Sequence, residues 1–230
     1  MVELHSYNMY NYLSVSALLA KRTHLWSWPQ TSTPKRRIPG TRLMQVSAAP
    51  RRVALIDRDG TIIVDKVHLR DPDGIEFAPG AIEGLRLLRD AGFALVLITN
   101  QSGIARGYFD LGRLEQIHDR LRFMLAAEGL RLEAIYVCPH SPDDGCDCRK
   151  PAPGMVKSAM RDLGFGPDEA VLIGDSDADM GAAAAAGVAG LRVASAGKSA
   201  AIGAAADFLE ASRRACVLLA ERDGGQAARP

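Results

Sequence analysis

The 230-residue sequence has few of the residues that usually identify a protein class at first reading. Aromatic residues make up only 6% of the chain, and there are four cysteines. Three of these cysteines fall between positions 138 and 148, and Cys216 stands alone. A small secreted domain held by disulfides spreads its cysteines along the whole chain, so this distribution excludes such a framework and favours a local metal site in a reducing compartment.

Long apolar runs and a large net charge are also missing. No run is long enough to span a bilayer, and the segment YLSVSALLA lacks the preceding basic region of a secretory signal. The formal net charge is +1, which gives no general attraction to nucleic acid or to anionic membranes. These absences favour a cytoplasmic protein that acts on a small molecule and has neither a nucleic-acid nor a membrane partner.

Charge is nevertheless unevenly distributed along the chain. Residues 1–50 carry six Lys/Arg and one acidic residue, a net charge of +5, so the remainder has a net charge of −4. The stretch lacks apolar periodicity and predicts a disordered basic extension, or a start codon assigned too early with Met44 near the true start. A basic targeting peptide is the alternative. We expect one domain over residues 51–222 and a flexible tail over residues 223–230.

From Arg52 onwards, continuously apolar segments alternate with segments of helical periodicity. The predicted strands are RRVALID, FALVLITN, LEAIYVC, EAVLIGD and AGLRVAS. The predicted helices are PGAIEGLRLLRDAG, LGRLEQIHDRLRFMLAAEG, PGMVKSAMRDLG, ADMGAAAAAG and the segment that follows AADF. This alternation predicts an α/β fold with a Rossmann-like parallel sheet and helices on both faces.

Polar side chains cluster where the predicted strands end, which is where α/β sheets bind ligands. They are Asp57 and Asp59 after the first strand, Thr99, Asn100, Gln101 and Ser102 after the second, Lys150 before the third helix, and Asp175 and Asp179 after the fourth strand. Each motif has an ordinary alternative, since DRDG also suits a solvated turn, TNQS a polar turn and GDSDAD a helix cap. Their joint position at the same edge favours catalysis.

Three nearby carboxylates repel one another and need a cation, and oxygen-rich sites select hard ions such as Mg²⁺. An aspartate beside such an ion is a known nucleophile in phosphoryl transfer. The acid two residues later can protonate a leaving alkoxide and then activate water. A hydroxyl and an amine, here Thr99 and Lys150, can hold the charged phosphoryl oxygens.

The segment CPHSPDDGCDCRKP contains a second cluster of metal-binding residue types. Its ligands would be Cys138, His140, Cys146 and Cys148, which suffice for a closed tetrahedral zinc site of structural type. Free surface cysteines, or a redox pair in CDC, are the alternatives. Because Arg149 and Lys150 follow at once, zinc in this loop would also position two cations near the carboxylates.

These motifs together resemble the haloacid dehalogenase superfamily. DRDGT, TNQSGIARG, CPH…CDCRKP and GDSDADM occur in order over residues 52–222 and are similar to the branch that contains heptose bisphosphate and histidinol-phosphate phosphatases. The resemblance implies a haloacid dehalogenase-like core with a minimal cap and a zinc-stabilised loop. It also implies Mg²⁺-dependent hydrolysis of phosphate monoesters, by an enzyme expected to be a monomer.

The resemblance also implies roles for individual residues. Asp57 would be the nucleophile, Asp59 the general acid/base, and Thr99 and Lys150 would stabilise the phosphoryl group. Mg²⁺ would be held by Asp57, by the backbone carbonyl of Asp59 and by Asp175. The substrate-binding residues would be Asp65, His68, Asn100, Gln101, Ser102, Arg149 and Ser176.

SGIARGYF favours hydrolysis of the C7 phosphate of D-glycero-D-manno-heptose 1,7-bisphosphate, which supplies heptose for surface polysaccharide. A histidinol-phosphate phosphatase is the alternative enzyme, and a silent phosphosugar-binding protein is the alternative of a different class. The chain departs from the heptose enzymes at Ser176, where they have Lys, and at residues 66–68, where they have His-Gly-Tyr.

Overall fold

A computed structural model describes residues 52–194 and 203–226, and it describes side chains only as far as residue 222. The chain divides into two units, Met1–Gln45 and Val46–Pro230. The predicted extension over residues 1–50 and the last four residues of the predicted tail lie outside the described part. The final helix runs to Gln226, so it enters the segment that the sequence predicts to be a tail.

Five parallel strands form one sheet in the spatial order β3-β2-β1-β4-β5. Their bounds are Arg52–Ile56 (β1), Phe93–Asn100 (β2), Ala134–Cys138 (β3), Ala170–Gly174 (β4) and Ala189–Arg192 (β5). Because β1 lies at the centre, the segment that leaves it faces the ends of both β2 and β4. The predicted strands are all present; β2 matches its segment FALVLITN, and the other four are two or three residues shorter than theirs.

In the described part of the chain, four helices connect successive strands and a fifth follows β5. They span Ala81–Asp90 (α1), Leu111–Ala127 (α2), Gly154–Leu163 (α3), Asp177–Ala186 (α4) and Phe208–Gln226 (α5). The bounds follow local chemistry: Asp110 caps the first turn of α2, Ser176 caps α4, and Gly164 and Gly187 end α3 and α4 in the left-handed conformation.

The sheet separates two apolar layers. On one face, alternate residues of β1 such as Ala54 and Ile56 pack against α1, α2 and α5. On the other, Val53 and Leu55 pack against α3 and α4. This confirms the predicted three-layer α/β fold, in which continuously apolar strands are buried on both faces.

The connections that leave β1 and β2, residues 57–80 and 101–110, carry no additional domain within the described residues. Between β1 and α1 the chain has one 3-10 turn, Pro72–Gly74, and two isolated bridges, which pair Ile63 with Asp59 and with Phe77. Residues 101–110, between β2 and α2, contain neither helix nor strand. The predicted minimal cap is therefore confirmed. Among the described helices, none is both long and apolar enough to cross a membrane.

Candidate active site

The segment after β1 places two aspartates at the carboxyl edge of the sheet. The backbone N–H of Asp57 donates to the carbonyl of Ile173 at 2.9 Å. The carboxylate of Asp57 therefore lies at the point where the pairing of β1 with β4 ends. Gly60 then turns the chain with φ 79°. A Cβ on Gly60 would lie 2.4 Å from Oδ2 of Asp175, so only glycine permits this close approach of the loop to the β4 end.

Lys150 is a buried cation beside Asp57. Its Nζ donates to Oδ1 of Asp57, donates to the carbonyl of Ile98 at 2.9 Å and lies 2.6 Å from Oδ1 of Asp179. The side chain is only 3% exposed. Burial disfavours its charged form, but Asp57 and Asp179 outweigh that effect and raise the pKa of Lys150. A charged amine is therefore fixed beside the first carboxylate, as the sequence predicts.

The carboxylates outnumber the cation. One oxygen from each of Asp57, Asp175 and Asp179 lies within 4.8 Å of the others. The ammonium of Lys150 forms ion pairs with Asp57 and Asp179. Burial raises the pKa of Asp57, and the charges of Asp179 and Asp59 act in the same direction, while Lys150 opposes them. Asp179 is absent from the predicted metal ligands, although it belongs to this group.

This donor set fits a hard divalent cation. Three carboxylates beside one ammonium leave an excess of two negative charges in a buried place, which one Mg²⁺ would neutralise. Carboxylate oxygens are also the ligand type that such ions prefer. Asp57 and Asp175 stay proposed ligands, as does the backbone carbonyl of Asp59.

Asp59 is held at the mouth of the site by several donors. Nε2 of Gln101 donates to its Oδ2 at 2.8 Å, and Oγ1 of Thr99 donates to the same oxygen at 3.5 Å. Gln101 also donates to Thr99 at 2.7 Å, so the two residues after β2 act together. The Asp59 side chain is 24% exposed, which leaves part of its carboxylate open to a substrate.

Two residues near Asp59 are absent from the predicted site: Arg58, which contacts Asp59, and His118, which contacts Arg58. Arg58 is fully buried and donates to both oxygens of Asp59, each at 3.1 Å. His118, on α2, receives a hydrogen bond from Nη1 of Arg58 at 3.1 Å and is 1% exposed. Burial, together with the charges of Arg58 and Arg122, lowers the pKa of His118 to about 3, so its ring is neutral at ordinary pH.

A cavity of about 220 Å³ opens beside Asp59. It is lined by Arg58, Asp59, Asp65, Val67, His68, Asn100 and Gln101. The far wall is strained, because Val67 and His68 both have left-handed backbone, with φ 49° and 64°. Oδ1 of Asp65 accepts from the N–H of Val67 at 2.9 Å, and the His68 ring packs edge-on against Tyr108 with centroids 5.1 Å apart.

The other residues predicted to bind substrate have structural partners in this state. Asn100 donates to the carbonyl of Lys150 at 3.0 Å and accepts from its N–H at 3.1 Å. Ser176 caps α4 through Asp179, and Arg149 donates to the carbonyl of His140 at 3.1 Å. Ser102 is buried. These contacts fix the frame of the site, and substrate binding by these side chains stays a prediction.

The Cys/His segment folds so that its four predicted ligands meet. Sγ of Cys146 lies 3.7 Å from that of Cys138 and 3.5 Å from that of Cys148, and Nδ1 of His140 lies 3.2 Å from Sγ of Cys148. A tetrahedral zinc with Zn–S bonds of about 2.3 Å separates two sulfurs by roughly 3.8 Å. These are the separations of a zinc site rather than of a disulfide, and all four cysteines of the chain are free thiols.

The Cys/His cluster is joined directly to the carboxylate edge. The segment that follows Cys148 reaches β2 through the paired hydrogen bonds between Asn100 and the backbone of Lys150. Gly154 lets the chain pass closely, since a Cβ there would lie 2.3 Å from the carbonyl oxygen of Asp147. An ordered cluster thus fixes where Lys150 enters the site.

The sequence of this chain is similar to a family model and to several phosphatases. A family model described as HAD-hydrolase-like matches residues 147–214. The D-glycero-beta-D-manno-heptose-1,7-bisphosphate 7-phosphatase of Pasteurella multocida is 40% identical over 136 residues, which are 56% of this chain and 74% of that protein. The protein of the same name from Escherichia coli O6:H1 is 44% identical over 140 residues, 58% of this chain and 74% of that protein.

A solved structure of a heptose bisphosphate phosphatase is also similar to this chain. The D,D-heptose 1,7-bisphosphate phosphatase from B. bronchiseptica, crystallised with magnesium and phosphate, superimposes with a TM-score of 0.64 and 36% identity. The match covers 71% of this chain and 97% of that one. The shared part thus includes nearly all of that phosphatase.

Proposed function

We propose, on the premise that this chain belongs to the haloacid dehalogenase superfamily, in the branch of the heptose bisphosphate phosphatases, that it hydrolyses the C7 phosphate of D-glycero-D-manno-heptose 1,7-bisphosphate. The observation that carries the proposal is the contact of Asp57 with the buried ammonium of Lys150, beside Asp175 and Asp179. The proposed substrate rests on the names of the relatives, and the proposed type of reaction rests on the geometry of the carboxylates and Lys150.

Asp57 is the proposed nucleophile. Its carboxylate oxygen attacks phosphorus, and a new P–O bond forms as the bond to the sugar oxygen breaks. Lys150 and Thr99 hold the phosphoryl oxygens, on which negative charge is spread in the transition state. Lys150 suits this role because two carboxylates and one backbone carbonyl already fix its ammonium.

Asp59 is the proposed proton carrier of both half-reactions. It donates a proton to the departing sugar oxygen, which then leaves as a neutral hydroxyl. Water next attacks the phosphorus of the aspartyl-phosphate, Asp59 accepts a proton from that water, and the bond to Asp57 breaks. The partial exposure of Asp59 beside the cavity allows it to reach a substrate or a water molecule.

Asp57, Asp175 and the backbone carbonyl of Asp59 would hold a Mg²⁺ ion, with Asp179 close by. When bound, the ion neutralises charge on the phosphoryl group and on the attacking carboxylate. The protein contributes the fixed positions: Gly60 brings the β1 loop against Asp175, and the Ser176 cap holds Asp179 at the start of α4.

Cys138, His140, Cys146 and Cys148 are the proposed ligands of a structural Zn²⁺ ion. All four positions of a tetrahedral site would be filled by protein, so this ion has no place for water and no catalytic task. We also propose that the protein is cytoplasmic, because free thiols suit a reducing compartment. We propose further that it is a monomer. Light scattering after gel filtration measures the oligomeric state.

The test is phosphate release with Mg²⁺ from both anomers of heptose 1,7-bisphosphate and from histidinol phosphate, with Asp57→Asn as the blank. We expect one heptose anomer to be preferred. A preference for histidinol phosphate would retain the mechanism and overturn the substrate. No release from any of the three would overturn the proposed reaction.

A further inference from the structure

The buried pair formed by Arg58 and His118 has no task in the reaction described above, yet it directly contacts one of its principal residues. We infer that Arg58, held by His118, is a positioning residue that fixes the carboxylate of Asp59 for proton exchange with the leaving oxygen and with water. The inference rests on the proposed function and assigns a role to two residues outside the predicted site.

The contact between Arg58 and Asp59 fixes both the place and the plane of the carboxylate. Nε of Arg58 donates to Oδ2 and Nη2 donates to Oδ1, each at 3.1 Å. A planar guanidinium that donates to both oxygens allows far less rotation than a single hydrogen bond does. Gln101 and Thr99 add donors to Oδ2 alone, so Arg58 provides the described side-chain contact to Oδ1.

Burial differs sharply across this ion pair. The Arg58 side chain is 1% exposed, whereas that of Asp59 is 24% exposed and borders the cavity. Arg58 therefore contacts the carboxylate of Asp59 from the protein interior, and part of that carboxylate remains exposed to the cavity. A buried ion pair seldom stabilises a fold more than apolar residues of the same size would, so stability gives little reason for its presence.

His118 completes the support from a different element. Arginine can only donate, so Nε2 of His118 must accept from Nη1 of Arg58, and the ring must be the neutral tautomer with its proton on Nδ1. The ring is 1% exposed on the inner face of α2, between Leu114 and Leu121. Helix α2 thus supports the guanidinium of Arg58, whose backbone lies two residues after the end of β1.

The experiment separates proton transfer from the rest of catalysis through the leaving group. Heptose 1,7-bisphosphate releases a basic alkoxide that needs a proton, whereas p-nitrophenyl phosphate releases a phenolate that needs none. For His118→Leu we expect kcat on heptose bisphosphate to fall about 10- to 100-fold with little change in KM. The pre-steady-state burst of p-nitrophenolate should keep its rate within about threefold, since that step needs no proton from Asp59.

His118→Gln is the matched control, because its amide oxygen can still accept from Arg58, and it should retain most of the activity on heptose bisphosphate. Should His118→Leu not fold, Arg58→Lys carries the same test, since it keeps the charge and loses the two-pronged contact. In an Asp59→Asn background, adding His118→Leu or Arg58→Lys should cause no further selective loss, because both variants act through Asp59.

Equal losses on both substrates, or unchanged kcat in His118→Leu and Arg58→Lys, would overturn the inference and leave the proposed function in place. A parent protein that releases phosphate from neither substrate would overturn the proposed function and the inference together.

Discussion

The two clusters of metal-binding residues in this chain are assembled in opposite ways. The carboxylate group takes Asp57 and Asp175 from the ends of the neighbouring strands β1 and β4, and Asp179 from the first turn of α4, so the sheet and the helix after it bring the three together. The Cys/His group comes from one segment of eleven residues, 138–148, that begins at the end of β3. The first group is thus a product of the whole fold, whereas the second can organise itself locally once a metal binds.

This difference predicts what each cluster does when it is disturbed. The sheet holds the carboxylates in place, and their mutual repulsion makes them a burden on stability rather than a support. The Cys/His segment has only the short 3-10 turn Pro142–Asp144 as regular structure, so its order would depend on the ligands that meet there. Disturbing the carboxylates should therefore affect chemistry first, and disturbing the thiols should affect stability first.

The largest effect is expected at the nucleophile. Asp57→Asn should lower kcat by at least roughly three orders of magnitude, because an amide oxygen cannot form the aspartyl-phosphate. The melting temperature should not fall, since the change removes one of several crowded negative charges. Asp177→Asn is the matched control, because this side chain is 91% exposed at the start of α4, and its activity should stay near that of the parent. Substantial turnover by Asp57→Asn would contradict the nucleophile assignment.

The second effect tests the Cys/His cluster. Cys148→Ser should reduce the zinc content of the purified protein from about one ion per chain to a small fraction, because one of four ligands is lost. Stability should fall with it, and activity should fall about tenfold as the segment that delivers Lys150 loosens. Elemental analysis, thermal unfolding and phosphate release measure the three quantities.

Cys216→Ser is the control for the thiol cluster, because Cys216 lies on α5 and packs at the edge of the α1/α2/α5 layer. It should retain zinc and activity. A parent protein without zinc, or a Cys148→Ser protein that keeps its stability, would contradict the structural role of the cluster.

The elements of the fold could be read from the sequence because its signals are local. Each apolar run became a strand, and the parallel arrangement placed the strand ends together, as expected for alternating strands and helices. Asp179 was left out of the predicted ligands because its place depends on how α4 begins. Ser176 caps that helix, and the first turn then carries Asp179 back to Lys150, four residues beyond Asp175.

His118 shows a different limit. A histidine on an amphipathic helix is ordinarily expected at the surface, but this ring is only 1% exposed. The signal was present, because Leu114, Ile117, His118 and Leu121 follow the spacing of a single helix face. A histidine on such a face needs a polar partner, and here the partner is Arg58, sixty positions away, which no local pattern can supply.

A smaller effect is expected from the protonation of His118, the residue that contacts Arg58. His118 has a lowered pKa of about 3 in the folded protein against an ordinary value of 6.5, so the unfolded chain binds its proton first as pH falls. Its contribution to stability is complete above pH 6.5 and is lost progressively towards pH 3. Relative to His118→Gln, the parent should lose about 2 kcal/mol of unfolding free energy between about pH 7.5 and about pH 5.

Urea unfolding at several pH values measures this difference, and the comparison with His118→Gln removes the contributions of all other titrating groups. The m-values should match, so that the midpoints report stability alone. Parallel pH dependence of the two proteins would show that the ring takes up its proton as easily in the folded state as in the unfolded chain. The buried contact with Arg58 would then be contradicted.

The smallest effect is expected from removing the basic extension. All members of the two clusters found among the described residues lie at or after Asp57, outside the segment to be deleted. Deleting residues 1–43 should leave kcat, KM and zinc content unchanged within about twofold, an effect too small to assign to catalysis. A large loss of kcat with zinc retained would link the extension to the carboxylate edge. A loss of zinc would link it to the Cys/His segment, which would then no longer be a locally organised cluster.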